Sequence, residues 1–344
     1  PTLAMQSAAQ RQAELELQEV EQASPEVLVM RNPGAAVLFD DWTGTIDPDA
    51  PTRPLAGEVP TQWGSLPHDC SDGSLMPLPE SIEICFDNAR PDAETTVVVI
   101  GNSHAQQMLG PIGEIAEERE WQVISFLYAA CAFGLREVDD RDGIFYSQEC
   151  RDWNEDVLGL IEEISPDMVV TIGTETVPQD RRGLTAVAEE PEDLLVEGVL
   201  DEDADHSDTV AGPLRDEVVL EGVEQGIERL KWMGVPVVLI RDNPRFTDSA
   251  LLCAETARDP EFACSTTFEE AYAAVNPAAA LADETTAIVD LSRYYCPEGI
   301  CPAIIGNTYV YIDDNHLSLV YARSLAPVLE ERLVEALMMF NAEE

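Results

Sequence analysis

Positive charge is what this sequence has least of. Among 344 residues Lys231 is the only lysine, and 19 Lys+Arg stand against 67 Asp+Glu, a formal net charge of -48. The acids are spread along the chain and do not form one tail, so the whole surface is expected to be negative. Such a field repels nucleic acid and anionic membrane surfaces, and neither is expected as a direct partner. Solubility, or a general bias toward acidic residues, explains the excess more simply than a dedicated binding site. Long apolar runs are also missing. No stretch would span a bilayer, and no signal peptide is evident. Nor do the eight cysteines show the Cys-x-x-Cys spacing with neighbouring histidines that zinc sites need, so they announce no metal site; no bound cofactor is expected.

What the cysteines do show is proximity in pairs: Cys70 with Cys85, Cys131 with Cys150, Cys253 with Cys264 and Cys296 with Cys301. Eight cysteines allow about 105 pairings. Sequential bridges in an oxidising compartment are the simplest. Together with the missing export signal, they suggest an extracytoplasmic piece of a longer protein. Hydrophobic content of 45% is ordinary for a globular chain and supplies a sizeable core.

The chain is organised around Thr96-Val97-Val98-Val99-Ile100-Gly101-Asn102-Ser103-His104. A continuous apolar run closed by glycine fits a parallel strand covered on both faces, and open α/β sheets place ligands just past such carboxyl ends. The segment after Ser103 is compatible with a helix, which would expose the Ser103 hydroxyl and point its N–H outward. A serine hydroxyl needs a base. One lies near the other end, where Asp313 stands three residues before His316, ahead of a final amphipathic segment. That spacing lets the carboxylate fix the imidazole tautomer and stabilise the imidazolium. Asp314 reaches the ring less readily. With four histidines in all, His316 is the expected base. His104 suits packing or hydrogen bonding near the helix start, and nothing recommends His68 or His206.

Read in order, residues 3–22 form a polar helix anchored by Leu15, Leu17 and Val20. It is either a linker from a membrane span or a solvated helix at a chain end. A Pro- and Gly-rich stretch, 32–94, is expected to wrap irregularly on the main domain, with Trp42 and Trp63 as buried anchors or as a substrate-facing lip. Strands are expected at 95–103, 122–127, 167–173, 235–240 and 286–291. Helices are expected at 105–118, around 153–164, and at 214–233, 268–282 and 319–340. This alternation indicates βαβ units and a parallel sheet of about five strands. An acidic insertion, 189–212, holds Asp201, Asp203 and Asp205 but lacks the glycine and distal glutamate of an EF-hand, and is read as a solvated loop. Arg241 and Arg245, past the fourth strand, either hold an anionic or hydroxyl-rich acceptor or pair with Asp242 or another acid.

Gly-Asn-Ser-His after the first core strand and Asp-x-x-His before the last helix resemble the SGNH (GDSL-like) hydrolase superfamily, above all the extracytoplasmic SGNH domain fused to membrane acyltransferase-3 proteins. Asn102 stands where the commoner pattern has Asp, and no Gly-x-Asn-Asp block is present. The resemblance implies a flavodoxin-like three-layer α/β sandwich over 95–344, with 32–94 packed on it and 1–31 as a linker. It implies catalytic Ser103, His316 and Asp313. Gly134, by its order in the chain, and Thr174, at the end of a strand, join the Ser103 N–H as oxyanion candidates. Asn102, His104, Arg241 and Arg245 are candidate acceptor contacts. The implied activity is O-acylation, expected to be O-acetylation, of an envelope glycan or glycolipid. The implied acyl donor is passed outward by an N-terminal transmembrane acyltransferase domain that tethers the protein to the membrane. A secreted carbohydrate esterase and a non-catalytic glycan-binding domain are the alternatives.

Overall fold

The four apolar residues Val97 to Ile100 lie in the middle strand of a seven-stranded sheet, and all four are buried. In this computed structural model residues 22–135, 147–174, 213–258 and 260–342 are described, with Leu15, Leu17, Gln18 and Val20. The strands are β1 (His68–Asp69), β2 (Ile84–Asp87), β3 (Thr96–Gly101), β4 (Gln122–Leu127), β5 (Met168–Ile172), β6 (Val237–Ile240), β7 (Ser265–Thr267), β8 (Thr286–Val289), β9 (Ile300–Pro302), β10 (Ile304–Ile305) and β11 (Thr308–Tyr309). The main sheet runs β1-β2-β4-β3-β5-β6-β8, while β7 pairs with β9 and β10 with β11.

The five expected strands, β3, β4, β5, β6 and β8, are mutually parallel. The other two come from the segment read as an irregular wrap. There β2 pairs antiparallel with β4 and β1 antiparallel with β2. Four residues among prolines carry too short an alternation to announce β2, and the exposed edge of β4 supplies the hydrogen bonds that make it a strand.

Successive side chains of a strand point to opposite faces, and the core divides accordingly. Val97, Val99, Val123, Val170 and Val238 pack on one side with Ile112, Ile115, Tyr321, Leu329 and Leu333. Val98, Ile100, Ile124, Phe126, Val169 and Leu239 pack on the other with Trp153, Val157, Ile161, Val223 and Ile227. Each such side chain contributes about 1.5–3 kcal/mol by leaving water. The helices on the first face are α1 (Ser103–Gln107), α2 (Leu109–Arg119), α5 (Leu319–Ser324) and α6 (Ala326–Asn341), and on the second α3 (Gln148–Ile164) and α4 (Pro213–Trp232). Three layers result.

Two helices expected to be continuous are broken. Pro111 and Pro327 each deny a hydrogen bond to the carbonyl four residues back, at Gln107 and Arg323, and the helices stop at Gln107 and Ser324. The helix expected at 268–282 is only Phe268–Ala271, followed by a 3₁₀ turn Pro277–Leu281 that Asn276 caps.

All four sequential disulfides are present, as expected from the spacing. Cys70, just past β1, is bonded to Cys85 in β2. Cys131, in the loop after β4, is bonded to Cys150 in the first turn of α3. Cys253, in the short helix Ala250–Thr256, is bonded to Cys264 just before β7, and Cys296 is bonded to Cys301 in β9. The lone lysine, Lys231 in the last turn of α4, pairs with Asp283 just before β8. Most of the helix read at 3–22, the acidic insertion with its Asp cluster, and His206 lie outside the described residues.

Candidate active site

Gly101 closes β3 at φ +137°, in the region that favours glycine, and a Cβ there would stand 3.0 Å from that of Ala105. The chain can therefore turn directly from strand into α1. Asn102 caps that helix, its Oδ1 accepting the His104 N–H at 2.9 Å. Its carbonyl accepts the N–H groups of Ala105 and Gln106. The Ser103 N–H, first in the helix, is claimed by none of these acceptors. Asn102, a candidate acceptor contact by sequence, thus uses its Oδ1 as a cap.

The opposing loop follows β11. Asp313 Oδ1 accepts the N–H groups of Asn315 (2.8 Å) and His316 (2.6 Å), the local turn that aspartate favours. This turn points Oδ2 at His316 Nδ1, 2.7 Å away. Nδ1 donates there, which leaves Nε2 as the acceptor, and it lies 2.8 Å from Ser103 Oγ. Two loops 213 positions apart thus form one line of hydrogen bonds, Asp313–His316–Ser103. Burial pushes the Asp313 carboxyl up, but the hydrogen bond and charge of His316 and the two backbone N–H groups outweigh it. The carboxyl stays below its usual range.

Behind this line runs a buried network that no motif announced. His104 Nδ1 lies 2.6 Å from Asp242 Oδ1, and its Nε2 lies 3.0 Å from both Asn315 Oδ1 and Arg245 Nη2. Gln107 of α1 donates to Asn243 Oδ1 (2.6 Å) and accepts the Leu317 N–H (2.8 Å). Asn243 in turn donates to the Asn315 carbonyl (2.6 Å), and the N–H groups of Phe246 and Ala250 bond to the carbonyls of Asp314 and Asp313. The loop after β6 therefore clamps the Asp313–His316 loop against α1. Short polar side chains past a buried strand were the available signal, but spacing alone does not say which loops meet.

The remaining candidates divide. Thr174, buried past β5, accepts the Asp242 N–H at 3.1 Å through its hydroxyl, which keeps its own proton to donate. With Asn102, Ala132, Phe133, Thr171 and Arg245 it lines a small solvent-open cleft beside the turn from β3 into α1. Gly134, the other oxyanion candidate, is placed differently. Its N–H donates to Asn154 Oδ1 (3.3 Å), and a Cβ would fall 2.5 Å from the Gly222 backbone, so it is a packing glycine committed elsewhere. Arg241 is committed elsewhere too. It pairs with Asp290 (2.9 Å), donates to the Ala273 carbonyl (2.8 Å) and lies over the Tyr272 ring. Arg245 stays at the edge, turned toward His104 and Asp242. Of the two tryptophans, Trp42 is half-buried, and Trp63 sits against His316 with ring centroids 4.9 Å apart.

A family model described as the SGNH domain fused to AT3 domains matches residues 69–331. The chain belongs to this SGNH family. Membership makes it an acyltransferase- or esterase-type domain, of the kind found joined to an AT3 domain. No curated protein matches the chain. Among solved structures, the periplasmic domain of a lipopolysaccharide acetyltransferase from Salmonella ser. Paratyphi A aligns with TM-score 0.46 and 11% identity, over 70% of this chain and 84% of that one. Four disulfides fit an extracytoplasmic SGNH domain, and among the described residues no helix is long and apolar enough to cross a membrane.

Proposed function

We propose that this SGNH domain is an extracytoplasmic O-acyltransferase, moving an acetyl group onto a hydroxyl of an envelope glycan or glycolipid through a Ser103 ester. The observation that carries the proposal is the Ser103–His316–Asp313 line of hydrogen bonds. In the first step Ser103 Oγ bonds to the acyl carbon while its proton passes to His316 Nε2. The bond to the donor's alkoxy group then breaks, and His316 returns the proton to that leaving group. In the second step an acceptor hydroxyl attacks the Ser103 ester, its proton goes to His316 and then to Ser103 Oγ, and the new ester leaves. Asp313 holds the ring and balances the imidazolium without taking the proton. The Ser103 N–H and the Thr174 hydroxyl are the donors we assign to the oxyanion, and one such donor is worth about 3–4 kcal/mol of barrier. The acyl group comes, in this reading, from an AT3 domain joined N-terminally and anchored in the membrane, consistent with the fusions that define the family. No bound cofactor takes part.

Incubation with an aryl acetate and a set of glycans tests the proposal, scored for acetylated glycan against released acetate. Acetylated glycan is expected. Acetate alone would make the domain an esterase, with water as the second nucleophile, and glycan binding without either product would make it a binding module.

A further inference from the structure

Trp63 comes from the segment preceding the parallel strands, yet its ring meets that of His316 at 4.9 Å and an interplanar angle of 66°. It is not a buried anchor, since 40% of its surface stays exposed. Its neighbours hold it in place. Gln62, 5% exposed, accepts the Val320 N–H at 3.2 Å, and Gln106 Nε2 donates to the Gly64 carbonyl at 3.1 Å. Gly64 lies so close to α1 that a Cβ would fall 2.2 Å from the Gln106 carbonyl oxygen. Gln106 sits on the helix of the nucleophile and Val320 on the helix after His316. The indole is therefore fixed relative to both halves of the Ser103–His316 pair while remaining open to solvent.

An indole offers a large flat apolar surface at little entropic cost. A pyranose ring offers the matching surface, a face of C–H groups rimmed by hydroxyls. Such stacking needs no cation, which suits a chain whose charge of -48 repels polyanions. We propose that Trp63 is the acceptor platform: it stacks on the apolar face of a pyranose ring and so delivers a ring hydroxyl to His316 once Ser103 is acylated. This deepens the acyl-enzyme reading above and rests on it.

The test is a competition. The protein is acylated with 4-nitrophenyl acetate in equal concentrations of glycerol and a panel of methyl pyranosides (gluco, galacto, manno and N-acetylglucosamine forms), and the acetyl esters are counted by mass spectrometry. All acceptors compete for one acyl-enzyme, so the ester ratio does not depend on how much protein is folded or how fast it is acylated. The unaltered protein is expected to favour at least one pyranoside over glycerol by about tenfold or more. Trp63→Phe should keep most of that preference, and both Trp63→Leu and Trp63→Ala should bring the ratio close to unity. A ratio near unity in the unaltered protein, or the same preference in Trp63→Leu, overturns the platform. An unaltered protein that never carries acetyl on Ser103 fails differently, and takes the serine reading down with the platform.

Discussion

Two histidine–aspartate pairs lie side by side here, their imidazoles 4.9 Å apart. In both, Nδ1 faces a carboxylate at 2.6–2.7 Å. They differ in what surrounds Nε2. That of His316 meets a serine hydroxyl, and its side chains are 14% and 38% exposed for His and Asp. That of His104 is closed in by Asn315 and Arg245, with side chains 4% and 1% exposed. The first arrangement suits the proposed base. The second suits a strut that holds the loop of the first.

The largest effect expected from this contrast is on rate. Asp313→Asn should lower kcat for an aryl acetate by about 10³-fold or more, because the imidazole loses the partner that fixes its tautomer. Asp242→Asn should cost only about tenfold, acting through the position of the Asp313–His316 loop. Steady-state kinetics on both variants decide this, and equal losses would erase the distinction between base and strut.

Stability should show the reverse order. His104→Ala takes the imidazole partner from the buried Asp242 carboxylate, leaving it the Asn243 N–H and Arg245, and should lower the unfolding free energy by about 2–3 kcal/mol. His316→Ala, at a partly open pair, should cost about 1 kcal/mol or less. Urea unfolding of the two variants measures the difference, and a larger loss at His316 would invert the comparison.

The smallest effect is expected with pH. Asp313 is held below its usual range, so its pairing stabilises the fold above the unfolded carboxylate value of about 4. That contribution is lost as pH falls through the lowered value. The unfolding free energies of the unaltered protein and Asp313→Asn should therefore differ by at most about 1 kcal/mol near neutrality and converge in acid. A gap that widens on acidification would mean the carboxyl is raised, not lowered.

Much of the candidate site's geometry was legible because its signals are local. Gly101-Asn102-Ser103 reads as a strand-to-helix turn from nine consecutive residues, and Asp313 and His316 share one short loop. The parallel strands were legible for a similar reason, since runs such as Gln122–Leu127 are apolar enough to be buried on both faces. So were the disulfides: Cys85, Cys150, Cys264 and Cys301 follow their partners Cys70, Cys131, Cys253 and Cys296 by 15, 19, 11 and 5 positions. Loops that short close at small entropic cost. Contacts made across the fold were not legible. Asn315 and Asn243 carry no pattern that pairs them, and His104 looks the same in sequence whether it meets Asp242 or solvent. The packing of Gly134 on Gly222 was not legible either, because a glycine needed for close packing cannot be told by residue type from one offering its N–H to an oxyanion. Arg241 was open to two readings because its partners, Asp290 and Ala273, lie 49 and 32 positions away.

The proposed acyl transfer and the Trp63 platform both require Ser103 to be the group that His316 deprotonates and that becomes acylated. Labelling with a fluorophosphonate, followed by peptide mass mapping, tests it most directly. A single adduct on Ser103 is expected, formed about 10³-fold more slowly in His316→Ala. An adduct on another residue, or labelling of Ser103 that proceeds at the same rate without His316, would contradict it.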